Sequence, residues 1–451
     1  MDLPWPEPSR GIARPRASRR YDVPDRPRRR GERCDVRSRG PPRPRPRGTR
    51  RVRLLLVVST AHPESVGEAW IAHQWIRRLA ERHDVTVLCY RQRAGLPLTG
   101  TVEGARVIEW DEPPLIGRHE RFKAMLNPGY YPFAWRARRW IRRALARGER
   151  FDLAHQITPV SLRFASPLRD DRIPYVIGPV GGSLESPPAF ADQEGGAPWF
   201  TGLRRLDRFR LRRSPALRAT FANASLVVGI ADYVRDQLGD IPVRDFTTMS
   251  DTGIEVLPPA APGSDRTRDV RLLYVGRVIR NKGVRDAVRA LHLLPRGTAT
   301  LDVVGDGYDR AACEALAAEL GIADLVRFHG RVDHEAVDDF YAAADVFVFP
   351  SYREAGGIVV IEALSHGLPV VACDRGGPSS TVTDDCGIRV PVTDPEQLAR
   401  DLADALTRLC ADPGLRARLA AGARERSAEV SLWDSRVEHL ETLYRRALEG
   451  R

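Results

Sequence analysis

The sequence predicts an α/β protein with two similar halves that face each other across a cleft. Short, nearly continuous apolar segments alternate with longer amphipathic segments over residues 51–250, and the alternation restarts at residue 270. This pattern is typical of parallel strands that are covered by helices on both faces. Residues 251–269 contain several prolines and show no periodicity, so we interpret them as a linker. A chain of 451 residues is long enough for two such domains.

Residues 1–50 differ from the rest of the chain in composition. They contain ten prolines, and 16 arginines against six acids, so they carry +10 of the formal net charge of +12. A segment with so few apolar residues is predicted to be disordered. One interpretation is an extension without a function, and the alternative is a polybasic arm for anionic lipid or nucleic acid. Because the other residues carry only about +2, we do not expect nucleic acid as a partner.

The first half contains predicted strands at residues 51–59, 84–90, 151–155, 174–183 and 224–230. A helix is predicted over residues 68–82, and the loop before it ends in Gly67 and Glu68. Backbone N–H groups at such a helix start can approach a phosphate, although a lone glycine is a weak signal. His155 ends the third strand, at the sheet edge where ligands bind in open α/β sheets. The pattern alone is equally compatible with a structural histidine.

An amphipathic helix is predicted over residues 133–147. One side is apolar, and the other side carries Arg136, Arg139, Arg142, Arg143 and Arg147. One interpretation is a helix that packs on the sheet and exposes its arginines to water. The alternative is docking to an anionic membrane surface, because arginines together with tryptophans suit that interface. A second basic stretch, residues 203–218, is compatible with both.

The second half, residues 270–430, contains predicted strands at 270–276, 301–307, 325–330, 345–350 and 369–373. The remaining segment, residues 431–451, is predicted to be mainly one helix, from Trp433 to Leu448. Its apolar positions indicate that it packs on a domain surface.

Two glutamates mark the stretch S-Y-R-E-A-G-G-I-V-V-I-E-A-L at residues 351–364. Glu354 lies in a predicted turn after a buried strand, and Glu362 lies one turn into the next helix. Gly356 and Gly357 separate them. A turn whose N–H groups lead into a helix is an anion-binding arrangement, and it follows the carboxyl end of a strand.

A cationic loop begins the second half, with the sequence G-R-V-I-R-N-K-G at residues 276–283. Arg277 and Lys282 lie five positions apart and could bind one anion together. The chain has only two lysines beside 69 arginines, so the lysine in this loop indicates a specific role. The alternative is a solvated surface loop.

Several site classes lack their motifs. The segment G-D-G-Y-D-R at residues 305–310 has no third glycine of a dinucleotide fingerprint, and the chain has no D-x-D triplet, P-loop, H-E-x-x-H or G-x-S-x-G. We therefore expect neither a cofactor nor a bound metal. Six scattered cysteines suit reduced thiols in the cytoplasm, and no signal-peptide core or membrane span is predicted.

Together these motifs resemble glycosyltransferase family 4. They comprise the loop at 276–283, V-G-D-G at 304–307, the continuous stretch from F-P-S-Y-R-E to P-V-V-A at 349–372, and D-R-G-G-P at 374–378. The resemblance implies the GT-B fold of two facing Rossmann-like domains, with acceptor binding in the first and nucleotide-sugar binding in the second. It implies transfer of a sugar from a UDP-, GDP- or ADP-sugar to a saccharide or lipid-linked acceptor, with retention and without a metal. A role in surface polysaccharide or glycolipid synthesis, and peripheral contact with the inner face of the membrane, are further expectations.

The resemblance also implies a role for each candidate residue. Arg277 and Lys282 would bind the donor diphosphate, and Glu362 would bind the ribose hydroxyls. Glu354 and the amides of Gly356, Gly357 and Ile358 would hold the transferred sugar. His155 would lie near the sugar and acceptor, and Gly67 would approach the phosphates. The last helix would cross back onto the first domain.

The chain departs from the family pattern in three places. Glu68 stands where a second loop glycine is usual, Gly356 replaces an aromatic residue, and Ser379 and Ser380 lie where an acid is common. Two alternatives to a transferase remain at this point. The same fold serves sugar-nucleotide epimerases and phosphorylases, and a basic binding protein without catalysis could act through the arginine-rich tail.

Overall fold

The computed structural model describes residues 51–65, 67–91, 97–112, 127–170, 172–193, 204–259 and 269–450. The tail at 1–50, with its predicted disorder, lies outside these residues, as do residues 260–268 of the predicted linker. Residues 51–451 cluster as a single unit.

The first half forms a sheet of seven parallel strands in the order β3-β2-β1-β4-β5-β6-β7. The strands are β1 (Arg53–Thr60), β2 (Asp84–Arg91), β3 (Ala105–Asp111), β4 (Leu153–Gln156), β5 (Tyr175–Val180), β6 (Leu226–Gly229) and β7 (Phe246–Thr248). Strands β3 and β7 are additional to the predicted ones. Both lie at sheet edges, where partial burial leaves no continuous apolar segment to recognise.

The second half forms a sheet of six parallel strands in the order β10-β9-β8-β11-β12-β13. The strands are β8 (Val270–Val275), β9 (Ala299–Val304), β10 (Val326–Gly330), β11 (Val346–Phe349), β12 (Val370–Cys373) and β13 (Gly387–Val390). The strand order reverses between β1 and β4 in one sheet and between β8 and β11 in the other. Ligands of doubly wound sheets bind at such reversals, beside the carboxyl ends of the strands. The predicted α/β class is confirmed.

Thirteen α-helices are described in these parts of the chain. They are α1 (Glu68–Arg82), α2 (Tyr130–Ala146), α3 (Arg204–Arg213), α4 (Pro215–Ala222), α5 (Tyr233–Leu238), α6 (Val284–Leu293), α7 (Arg310–Glu319), α8 (His334–Ala343), α9 (Ile358–Ser365), α10 (Gly376–Thr381), α11 (Pro395–Ala411), α12 (Pro413–Val430) and α13 (Trp433–Glu449). Within the described ranges, none combines the length and the apolar character that crossing a bilayer requires.

The last helix packs on the first sheet. Apolar residues of α13 belong to the same buried cluster as one face of β1, β2 and α1. Trp433 begins the helix at 1% exposure, its ring lies edge-on to Trp75 with centroids 5.1 Å apart, and the Arg78 guanidinium lies 4.7 Å above it. Trp75 in turn donates from Nε1 to the carbonyl of Asp251, at 2.8 Å. Trp433 therefore anchors the last helix on the first half, where the chain returns from the second half.

Replacing Trp433 by Ala should lower the free energy of unfolding by about 3–5 kcal/mol, because a fully buried indole and its aromatic contacts are lost. Chemical denaturation followed by circular dichroism measures the change. Trp135→Ala is the matched control: its side chain is 62% exposed, so the change should stay within about 0.5 kcal/mol. Equal losses in both variants would contradict the packing described.

Candidate active site

The carboxyl ends of β8 and β11 bring the predicted cationic loop beside the predicted carboxylate turn. Lys282 follows β8, Glu354 follows β11, and Lys282 Nζ forms an ion pair with Glu354 Oε2. Both side chains are largely buried, at 12% and 18% exposure. Partial removal from water strengthens this attraction relative to a surface pair.

Close backbone packing fixes the position of Lys282. Gly283 has a φ of +76°, and a Cβ at this position would lie 2.0 Å from the carbonyl oxygen of Pro350. Only glycine permits that approach without displacing backbone. On the same edge, the Ser351 hydroxyl donates to the carbonyl of Asn281 at 3.2 Å. The loop that carries Lys282 therefore packs directly on the end of β11.

The D-R-G-G-P motif supports the turn that carries Glu354. The N–H of Gly377 donates to the Glu354 carbonyl at 3.0 Å. A Cβ on Gly376 would lie 1.9 Å from that same carbonyl oxygen, and Gly376 has a φ of +64°. The two glycines thus let the start of α10 pack against the turn backbone.

A hydrogen bond from Tyr341 orients the second glutamate, Glu362. Glu362 lies in α9, four residues after the exposed Ile358, so both residues are on one side of the helix. The hydroxyl of Tyr341 donates to Glu362 Oε2 at 2.9 Å. Gly357 immediately precedes the helix, with a φ of +83°. Glu362 and the helix start therefore share the edge that Glu354 occupies.

The cationic loop contains two arginines with different environments. Arg277 is exposed, and its carbonyl accepts a hydrogen bond from Tyr274 at 2.9 Å. Arg280 is instead buried and donates to both carboxylate oxygens of Asp286, at 2.6 and 3.2 Å. Arg277 is thus available to a ligand, whereas Arg280 stabilises the loop.

His155 is buried within the first half. Its side chain is 1% exposed. Its Nδ1 lies 2.7 Å from the Tyr444 hydroxyl of α13, and its Nε2 lies 2.6 Å from the carbonyl of Gly178. Burial lowers the pKa of His155 to about 4, so the ring is neutral near pH 7. The expectation that it contacts sugar or acceptor does not fit this placement, because both nitrogens have partners inside the domain.

The first loop of the first half presents a carboxylate beside its glycine. Gly67 is exposed, with a φ of +67°, and it precedes α1. Glu68 turns across the loop and accepts from the N–H of Val160 at 3.0 Å. Burial raises the pKa of Glu68 to about 7, and the nearby charge of Asp251 acts in the same direction. The Glu68 side chain, at a position where glycine is usual in the family, therefore connects this loop to the segment that follows β4.

Gly356 lies where the two halves approach each other. A Cβ at this position would lie 3.1 Å from Cδ1 of Ile230, which follows β6 in the first half. A side chain at this position would therefore press against Ile230, whose terminal methyl group would have to shift by a few tenths of an ångström. Ser380 also contacts the first half, since its hydroxyl donates to Asp232 Oδ2 at 3.0 Å, whereas Ser379 caps the Gly376 carbonyl at 2.9 Å.

A cavity of about 210 Å³ opens at the carboxyl edge of the first sheet. Its lining includes an ion pair between Arg163 and Asp207, with N and O atoms 2.7 Å apart. The lining also includes Ser183 and Glu185, which follow β5, and Gln237 of α5. No sequence motif marks this cavity, because its residues come from four separate segments. In the described part of the chain, no three His, Cys, Asp or Glu side chains are grouped to hold a metal ion.

Two parallel α/β sheets, with a cation–carboxylate site at the carboxyl edge of the second, correspond to the GT-B fold. A family model described as "Glycosyl transferases group 1" matches residues 262–426, and one described as "Glycosyl transferase 4-like domain" matches residues 66–246. The chain belongs to this GT4-type group 1 glycosyltransferase family, which confirms the resemblance.

Curated relatives match over part of their length. The D-inositol 3-phosphate glycosyltransferase of Xylanimonas cellulosilytica is 40% identical over 185 residues, which cover 40% of this chain and 43% of the relative. The lipopolysaccharide core biosynthesis glycosyltransferase LpsE of Rhizobium meliloti is 32% identical over 216 residues, which cover 47% of this chain and 61% of the relative.

Solved structures agree in fold. Sucrose-phosphate synthase of Thermosynechococcus elongatus has a TM-score of 0.59 at 21% identity, with 88% of this chain and 100% of that chain covered. The lipopolysaccharide outer core galactosyltransferase WaaB has a TM-score of 0.61 at 13% identity, with coverages of 87% and 99%.

The protein should lose stability between pH 6.5 and pH 4 in part through His155. The pKa of this histidine is lowered on folding, so the unfolded chain takes up the proton first as the pH falls. The free energy of unfolding is therefore unaffected by His155 above pH 6.5. It declines as the pH falls toward 4, by on the order of 3 kcal/mol. Denaturation at several pH values should show a smaller decline for His155→Gln than for wild type. His292→Gln, which replaces an exposed histidine, should keep the wild-type decline; identical curves for all three proteins would refute the assignment.

Proposed function

We propose that the protein transfers a sugar from a nucleotide-sugar donor to an acceptor hydroxyl, with retention of configuration and without a bound metal. The observation that carries the proposal is the placement of Lys282 against Glu354, with Arg277 exposed on the same loop and Glu362 on the adjoining helix. Two cationic side chains can compensate the charge of a diphosphate, the task a metal performs in other transferases. A UDP-, GDP- or ADP-sugar is the proposed donor.

Each donor group has a proposed partner. Arg277 and Lys282 bind the diphosphate, and the exposed loop at Gly67 approaches it from the first half. Glu362, held by Tyr341, accepts from the ribose hydroxyls. The transferred sugar contacts Glu354 and the amides of residues 356–358, where the helix start adds positive partial charge.

The reaction follows from this arrangement. The acceptor hydroxyl attacks the anomeric carbon from the face that the diphosphate is leaving, so a new glycosidic bond forms as the carbon–oxygen bond to phosphate breaks. A phosphate oxygen takes the hydroxyl proton. Lys282 and Arg277 stabilise the negative charge that develops on the departing diphosphate. Lys282 is oriented before the donor binds, because Glu354 and the close packing at Gly283 already restrict it.

The acceptor is proposed to bind in the cavity of the first half. Its Arg163–Asp207 pair and its hydroxyl and amide groups suit a hydroxyl-rich ligand. The relatives are named for transfer to D-inositol 3-phosphate and for lipopolysaccharide core synthesis, which supports a saccharide, polyol or lipid-linked acceptor.

A surface beside this cavity supports a lipid-linked acceptor at the inner face of the membrane. Helix α3 lines the cavity through Asp207 and exposes Phe209 at 57%. On α2, Trp135 is 62% exposed, and Tyr131 accepts a hydrogen bond from Arg210 of α3 at 2.9 Å. Exposed aromatic rings among arginines suit the headgroup region of an anionic bilayer.

Lys282→Ala should lower turnover by about 10²-fold or more, because a charge that stabilises the departing diphosphate is lost. Product formation is measured with UDP-, GDP- and ADP-sugars, chosen by a thermal-shift screen of the wild-type protein, since a bound donor raises the melting temperature. Unchanged turnover would remove Lys282 from this role.

Arg296→Ala is the control, because this arginine is exposed and its nearest carboxylate is 4.0 Å away. An epimerised donor without transfer would favour a sugar-nucleotide epimerase. Because the proposed reaction uses no bound metal, turnover should be unchanged in excess chelator. The absence of stabilisation and of product with every donor would contradict the proposed function.

The double variant Trp135→Ser, Phe209→Ser should bind vesicles of mixed neutral and anionic phospholipid about tenfold or more weakly than wild type, because two apolar anchors are lost. Co-sedimentation measures the binding, and it should weaken at high salt. Leu293→Ser, an exposed apolar residue of α6, is the control. Binding that survives in the double variant but is lost on deletion of residues 1–50 would place the membrane contact in the tail.

A further inference from the structure

One segment of the first half is inserted into the second half beside the donor site. We call residues 182–190 the strap. Its beginning is fixed in the first half, where the N–H of Gly182 donates to the Tyr233 hydroxyl at 3.0 Å and Gln237 donates to the Ser183 carbonyl at 3.0 Å. Its end, Phe190, is completely buried and belongs to the apolar cluster of the second sheet. The strap therefore joins the two halves physically.

Phe190 packs on the two loops that carry the proposed donor-binding residues. Its ring centroid lies 4.2 Å from that of Tyr352, which is two residues before Glu354. The Arg280 guanidinium, two residues before Lys282, lies 5.9 Å from the Phe190 ring and 5.6 Å from the Tyr352 ring. One side chain from the first half thus contacts both donor loops of the second half.

Polar contacts along the strap reach the same turn. Arg353, the residue before Glu354, donates to the Ser186 hydroxyl at 3.3 Å. Arg375, the residue before the supporting Gly376, donates to the Glu185 carbonyl at 2.8 Å. The residues that flank Glu354 and its support are therefore held from outside their own domain.

We propose that Phe190 is a positioning residue for the donor site: its ring holds Tyr352 and Arg280, and so fixes the relative position of the loops that bear Glu354 and Lys282. Phe190 contacts no substrate in this arrangement. Its effect passes through the aromatic contact and the buried arginine. Catalytic geometry is sensitive to such support, since a displacement of about 1 Å costs about 10²-fold in rate.

The strap also lines the acceptor cavity. Ser183 and Glu185 belong both to the strap and to the cavity wall. A ligand in the cavity would therefore contact the segment that leads to Phe190. The inference rests on the proposed function, because the loops positioned by Phe190 are those assigned to the donor.

The test compares Phe190→Ala with Phe221→Ala in the full chain. Phe221 of α4 is also completely buried, but it lies in a cluster made of first-half residues. For Phe190→Ala we expect kcat/KM for the donor to fall by about 10²-fold and the Kd of the matching nucleoside diphosphate to rise. Phe221→Ala should lower the melting temperature and leave both donor parameters near wild type. Equal donor parameters in the two variants would overturn the inference.

A conservative pair covers the case in which an alanine variant does not fold. Phe190→Leu keeps an apolar side chain and should give a smaller loss of donor kcat/KM. In a Tyr352→Leu background that loss should shrink, since its ring partner is already absent. Purely additive effects of Phe190→Leu and Tyr352→Leu would overturn the inference while wild-type transfer still supported the proposed function. A wild-type protein that transfers no sugar from any donor would overturn both.

Discussion

The ion pair between Lys282 and Glu354 depends on the contact of one backbone with another. Gly283 lies so close to the carbonyl of Pro350 that no side chain fits between them, and the loop after β8 is thereby fixed on the end of β11. The carboxylate side is fixed in the same way, by Gly376 and Gly377 against the Glu354 turn. The two charges meet because glycines at both loops remove the side chains that would separate them. The parallel sheet brings the two loops together in the first place, since its neighbouring strands end at the same edge.

The two halves are joined by more than the connecting chain. Helix α13 packs Trp433 against the first sheet, Ile230 reaches toward Gly356, and the strap carries Phe190 into the second half. Two of these contacts, at Gly356 and through Phe190, lie beside the loops that bear Glu354 and Lys282. The buried, neutral His155 belongs to this framework, because its ring joins β4 to Tyr444 of the last helix.

Much of the fold and part of the site could be predicted from local patterns. Strands such as β1 and β11 are continuous apolar runs, which only a sheet covered on both faces requires. The loop of Lys282 and the turn of Glu354, which the structure brings into contact, were both recognised from motifs at strand ends. His155 shows the limit: its place at a strand end is equally compatible with a ligand contact and a buried structural role. Only the partner of each ring nitrogen separates the two, and Tyr444 lies 289 residues away in sequence.

By itself, the sequence determined the α/β class, the family and the segments that carry charge at strand ends, because these depend on residues close together in the chain. The tertiary structure decided what depends on distant residues: the burial of His155, the contact of Gly356 with Ile230, the cavity of the first half and the insertion of Phe190. Each of these depends on contacts between segments that are far apart in sequence and carry no common motif. Packing selects such contacts by shape and by the exclusion of water, and neither property is written in a local run of residues.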